Sequence, residues 1–259
     1  MRTRVVAGAV AITVVGVLLA QRAAAQTGDV HVLASNGVKA LLEALVPQAE
    51  RTIGHRLVIE FNTSAALKPR IEGGEAFDVT VMTSDVLGEL AKAGKVAAGT
   101  TVGVARSGIG VGFRTGATKP DIRTAEALKR TLVNARSITY AQDGASRAHI
   151  LAMLDRFGIA EAVNGETILE QGSIRSTGRV VNGDAEFVLT LVSEILPIKG
   201  IELAGPLPAE VQTYVSLSAA VGAQAKDAAA AKALVAFLAS PAIAPTLNAK
   251  GMEPFKTSR

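Results

Sequence analysis

The chain has 259 residues, with 27 Lys or Arg, 23 Asp or Glu, three His and no Cys. The absence of cysteine excludes disulfides, a lipidated N-terminal Cys, a thiolate metal site and a Cys nucleophile, so stability rests on one large or two small apolar cores. Arg2, Arg4 and Arg22 account for most of the net charge of +4, and the 24 basic residues that remain against 23 acidic ones supply no bulk basic surface for a nucleic-acid partner.

Arg2 and Arg4, the apolar residues 5–20 and the small residues Ala23, Ala24 and Ala25 form a charged region, a hydrophobic region and an Ala-x-Ala cleavage site. Residues 1–25 are therefore expected to be a signal peptide, somewhat short for a membrane span and closed by Arg22. No later segment approaches membrane length, so no stable membrane insertion is expected after cleavage. Short apolar strand patterns follow at 30–33, 57–61, 79–82, 109–113, 137–140, 187–191 and 211–217. Helical patterns alternate with them at 38–53, 67–72, 86–93, 124–133, 147–157, 176–181 and 227–238. Such alternation implies an α/β fold with parallel sheets and right-handed crossovers. Pro47 is expected to kink or break the first helix. Gly94, Gly158 and Gly183 stand where left-handed caps would end three others. The glycine-rich stretches 103–116 and 200–208 are where the chain is expected to change domain. Two crossings give one lobe of residues 26–107 plus 213–259 and a second of 108–212, with a ligand cleft between them.

Catalytic groups are few. His31 sits inside a strand pattern and His55 in the turn Gly54-His55-Arg56, while His149 lies one step into a helix beside the expected cleft. No His-x-x-x-His pair, Gly-x-Ser-x-Gly elbow or phosphate-loop lysine motif occurs, so neither a metal nor a cofactor is expected. Gly108-Ile109-Gly110-Val111-Gly112 lacks the dinucleotide spacing and reads as a hinge strand. Three strand-to-helix junctions stand out instead: Leu33-Ala34-Ser35-Asn36-Gly37, Phe61-Asn62-Thr63-Ser64-Ala65-Ala66-Leu67, and Gln142-Asp143-Gly144-Ala145-Ser146-Arg147-Ala148-His149. Each sets hydroxyls and the unpaired N–H groups of a helix N-terminus among small residues, which suits an anion held by neutral donors. Taken alone, Ser64 reads as an ordinary helix N-cap.

With Ile71-Glu72-Gly73-Gly74, Phe77-Asp78-Val79, Leu90-Ala91-Lys92-Ala93-Gly94 and the ending Gly251-Met252-Glu253-Pro254, these junctions make the chain resemble the molybdate-binding, type II periplasmic solute-binding proteins of ABC transporters. The resemblance covers nearly all of residues 26–259. It implies a two-lobed fold, each lobe a mixed, mostly parallel sheet flanked by helices. It also implies a monomeric periplasmic protein that closes on a small anion and delivers it to an inner-membrane ABC permease. The family's two oxyanion-binding serines fall on Ser35 and Ser64, its second-lobe helix N-terminus on Ser146, and its valine-arginine pair on Ile174 and Arg175. Its hydroxyl-donating tyrosine falls on Leu191, with Thr190 the nearest polar neighbour. Arg147 and His149 stand where a molybdate site needs no cation, and a guanidinium fork suits carboxylate or phosphate. A binding protein and not an enzyme is expected, with Ser35, Asn36, Thr63, Ser64, Ser146, Arg147, His149, Ile174, Arg175 and Thr190 at the ligand. Molybdate or tungstate stands slightly ahead of a di- or tricarboxylate. A secreted hydrolase using His149 with Ser146 or Asp143 is the alternative of a different class.

Overall fold

The computed structural model describes residues 28–256, and the expected signal peptide lies outside them. The chain opens with strand β1 (Asp29–Ser35), a 3-10 turn (Asn36–Val38), helix α1 (Lys39–Ile53), β2 (Arg56–Asn62), α2 (Ser64–Glu72), β3 (Val79–Thr83) and α3 (Ser84–Lys92). β1 pairs in parallel with β2 on one side and β3 on the other. Alternation along β1 sends Val30, Val32 and Ala34 to a face shared with Leu41, Leu42 and Leu45 of α1, and Leu33 to the opposite face with Leu67, Leu87 and Leu90. Helix α1 runs through Pro47 without the expected break. Pro47 is exposed, and Leu41, Leu45 and Ala49 on either side of it are buried, so core packing holds both segments in line despite the lost hydrogen bond.

The middle of the chain comprises β4 (Val102–Arg114), α4 (Ala125–Val133), β5 (Ile138–Ala141), α5 (Arg147–Phe157), α6 (Ala160–Asn164), β6 (Thr167–Glu170), α7 (Ser173–Asn182), β7 (Phe187–Leu191), α8 (Val192–Ile195) and β8 (Ile201–Pro206). The chain then closes with β9 (Tyr214–Val221), α9 (Ala228–Leu238), a 3-10 turn (Pro241–Ile243), α10 (Ala244–Ala249) and β10 (Glu253–Pro254). The strand order is β2-β1-β3-β9-β4-β7-β5-β6, with β8 and β10 also on β4. β5 is parallel to both β6 and β7, whereas β9 and β4 make antiparallel pairs with their neighbours. The sheet is therefore parallel where helices connect the strands and antiparallel along the seam.

That seam is one strand. β4 pairs with β9 from Val102 to Gly108 and with β7 from Ile109 onward, while β8 pairs it over Gly110 to Arg114. Apolar cores lie on both faces of each half of the sheet. The glycines of β4 serve close packing: a Cβ on Gly112 would stand 2.8 Å from Val188 and 3.0 Å from Ile201. Residues 108–112 form a packed strand and not a nucleotide loop. β8 falls in the stretch 200–208, where Gly200, Gly205 and Pro206 obscure its short apolar alternation; β6, α6 and α8 likewise have no counterpart among the expected elements. Gly94, Gly158 and Gly183 adopt the positive φ expected of them, at +67°, +65° and +85°.

Candidate ligand-binding cleft

The carboxyl ends of β1, β2, β5, β6 and β7 carry the junctions to the helices, and these junctions meet where the two sheet halves face each other. Thr63 Oγ1 donates to Asp143 Oδ2 at 2.8 Å. Ser193 Oγ donates to the Gly37 carbonyl at 2.8 Å. Leu191 Cδ1 lies only 3.0 Å from where a Cβ on Gly37 would stand, so the leucine packs against the chain just after Ser35. Asp143 Oδ1 also accepts the Gly172 N–H at 2.8 Å, which draws the start of α7 towards the starts of α2 and α5.

Ser35 and Ser64 are 5% and 6% exposed. Ser35 Oγ accepts the Gly37 N–H at 3.3 Å, and Ser64 Oγ accepts the Thr83 N–H at 3.1 Å. Each hydroxyl is oriented by one lone pair, and neither proton has an acceptor among the described residues, so both can be donated to an anion. The cap of α2 is Thr63, not Ser64: its Oγ1 accepts the Ala66 N–H at 3.1 Å. Thr63 is doubly engaged, by this cap and by Asp143, which leaves Ser64, buried in the first helical turn, without a capping role.

Across the cleft, Ser146 is buried and makes no side-chain cap. The N–H groups of Ala148 and His149 lie in the first turn of α5, where the helix offers no carbonyl partner. Arg147 is partly buried, and its Nε is fully buried without a hydrogen-bond partner. The Asn36 Oδ1 is in the same condition, in a residue only 9% exposed. Leaving such groups unpaired is costly, and a half-turn of the Asn36 amide would present its NH2 instead. The phenol of Tyr140 is pushed up by burial and partly drawn back by the Arg147 charge.

Thr190 is buried and donates to the Glu194 carboxyl, which also accepts from Ser173 Oγ at 2.8 Å. Burial raises Glu194 above the ordinary carboxylate range; the Thr190, Ser173 and Leu191 donors pull it down, and the Asp143 charge pushes it up. Two cavities open here. One of about 270 Å³ is lined by Asn36, Lys39, Ser173, Ile174 and Glu194, and one of about 480 Å³ by Ser64, Thr83, Asp143, His149 and Tyr214.

Of the residues expected at the ligand, Ser35, Asn36, Thr63, Ser64, Ser146 and Thr190 are buried around these junctions, with Arg147 partly buried beside them. His149 is exposed at the rim of the larger cavity, and no hydrogen bond joins it to Ser146 or Asp143 among the described residues. Ile174 is 57% exposed at the rim of the smaller one. Arg175 is exposed and lines neither cavity. Ser173 and Glu194 are not marked by any local motif in the sequence, because their contact spans 21 residues. Among the described residues, no group of three or more His, Asp or Glu is placed to hold a metal ion, and no single helix is long and apolar enough to cross a membrane.

A family model described as bacterial extracellular solute-binding protein matches residues 30–253. A Pseudomonas protein named aconitate isomerase is 29% identical over 236 residues, spanning 86% of this chain and 87% of that one. The molybdate-binding protein ModA of Azotobacter vinelandii is 25% identical over 236 residues, spanning 88% of this chain and 91% of that one. The solved periplasmic molybdate-binding protein of Azotobacter vinelandii superposes with a TM-score of 0.71 at 17% identity, over 88% of this chain and all of that one.

Proposed function

The chain belongs to the bacterial extracellular solute-binding protein family, and from that membership we propose that it captures a small organic acid, a di- or tricarboxylate, between its two sheet halves. The observation that carries this reading is the buried, unpartnered Nε of Arg147 beside the start of α5. A tetrahedral oxyanion can be held by neutral hydroxyls and backbone N–H groups alone, whereas a carboxylate matches the planar guanidinium fork. Leu191 supports the same choice, since it is buried against Gly37 and brings no hydroxyl to the cleft. The relative named for aconitate, a tricarboxylic acid, is more similar to this chain than the one named for molybdate. We therefore set the organic acid ahead of molybdate, in contrast to the order expected from the sequence.

In this reading residues 26–107 with 213–259 act as one lobe and 108–212 as the other, with β4 passing between them. The hydroxyls of Ser35 and Ser64 and the Asn36 amide hold the ligand from one side; Arg147 and the N-terminus of α5 at Ser146 hold it from the other. A ligand bridging both sides favours the closed form by its difference in affinity for closed and open states. The exported, periplasmic protein then presents its cargo to an inner-membrane ABC permease. Titration calorimetry with citrate, the two aconitate isomers, molybdate and tungstate tests the ligand class. A tricarboxylate is expected to bind and to lose affinity in Arg147→Gln. Tight molybdate binding that is indifferent to that substitution would overturn the reading.

A further inference from the structure

Negative charge is out of place in an anion cleft, yet Glu43 and Glu194 line the smaller cavity and Asp85 and Asp143 the larger. Asp143 has a structural use, since it ties Thr63 to Gly172 across the junctions. Glu194 has none of that kind: it joins no two elements across the cleft, lines the cavity of about 270 Å³ beside Asn36, and has its oxygens held by Ser173 and Thr190. The other charged groups at this cavity are Lys39 and Glu43 of α1, which pair with one another, and among the described residues no cation forms a salt bridge with Glu194.

We propose that Glu194 is a proton carrier, and that the cleft shifts the double bond of a bound unsaturated di- or tricarboxylate. The proposal rests on the organic-acid reading of the site. In such a ligand the methylene between a carboxylate and the double bond is allylic and acidified by both. The Glu194 carboxylate takes one methylene hydrogen as a proton, and the C–H electron pair becomes the new C=C bond. The pair of the old double bond then takes up a proton at its far carbon, returned by the Glu194 carboxylic acid. Proton count and oxidation level are unchanged, and no co-reactant is needed. Negative charge spreads into the ligand carboxylate during the shift, where Arg147 and the α5 N-terminus stabilise it. A carboxyl raised by burial is a better matched carrier near neutral pH than an exposed one.

The test is proton NMR of trans- or cis-aconitate with the protein in D2O, reading isomer ratio and methylene deuteration, with calorimetry on the same samples. Wild type is expected to bind, exchange and interconvert the isomers. Glu194→Gln is expected to keep binding while exchange falls by about 100-fold or more. Binding without exchange in wild type overturns the proton transfer and leaves capture standing. No binding of either isomer overturns both. Undiminished exchange in a folded Glu194→Gln variant overturns the role of Glu194. If that variant does not fold, Ser173→Ala provides the check: loss of one donor to the carboxylate moves the rise of exchange to higher pH, and an unmoved profile contradicts the proposal.

Discussion

Ser35 and Ser64 show how a hydroxyl becomes a directed donor. A backbone N–H occupies one lone pair of each, so the proton points elsewhere without a second side chain to aim it. Ser64→Ala is expected to weaken ligand affinity and also to cost about 1–3 kcal/mol of stability, because the Thr83 N–H is left buried and unpaired; calorimetry and thermal melting separate the two effects. Arg147→Gln is expected to lower carboxylate affinity by about 10- to 150-fold, the equivalent of about 1.5–3 kcal/mol for hydrogen bonds to a charged group. Its melting temperature should fall little, since the Nε makes no hydrogen bond to lose. Glu194 gives a pH prediction. Its carboxyl is raised in the folded chain, so above the ordinary carboxylate range the unfolded state binds fewer protons than the folded one and stability declines as pH rises through the raised value. Glu194→Gln should therefore gain in melting temperature relative to wild type at neutral pH, and the gain should vanish below about pH 4. The serine junctions were legible because each is contiguous in sequence. Glu194 was not, because only folding brings it beside Ser173 and places Asp143 near enough for its charge to be felt.

At the level of elements, β4 decides how the two halves are joined. Its Gly110 and Gly112 lie under neighbouring strands and helix α8, and a methyl group on Gly112 would press on Val188, Ile201 and Ile195 at 2.8, 3.0 and 3.2 Å. Gly112→Ala is expected to cost about 1–3 kcal/mol by overpacking, read as a drop in denaturation midpoint with an unchanged slope. Long amphipathic helices and the strands they connect were readable, because period and capping residues agree over many positions; α5 (Arg147–Phe157) and β7 (Phe187–Leu191) coincide with the expected ranges. The failures have local causes. β8 is short and broken by Gly205 and Pro206, and β6 has four residues. Pro47 misled because its cost is local, while the buried face that overrides it comes from the tertiary core. The antiparallel seam carries no sequence mark at all, since strand direction at β9 and β4 follows from how the chain crosses between halves.

For the whole molecule, the contact between halves depends on pairs such as Thr63 with Asp143, 80 residues apart, and Gly37 with Ser193, 156 residues apart. Without the first, the junction between the halves loses a bond whose acceptor is a carboxylate. Thr63→Val is expected to shift the ligand-free protein towards an open form, seen as a larger radius of gyration in solution scattering, and to weaken binding, because less of the protein is preorganised. The fold as a whole was legible from alternation and from three junctions; the balance between oxyanion and organic acid was not, since it turns on the burial of one guanidinium nitrogen and on a leucine packed against a glycine. The most direct test of that balance is thermal melting against citrate, the aconitates, molybdate and tungstate at matched concentration and ionic strength. A ligand present at 100 times its Kd adds about 2.7 kcal/mol, which for a chain of this size raises the melting temperature by about 5–10 °C. The organic acids are predicted to give such a shift and the metal oxyanions none; a shift with molybdate or tungstate alone would contradict the account.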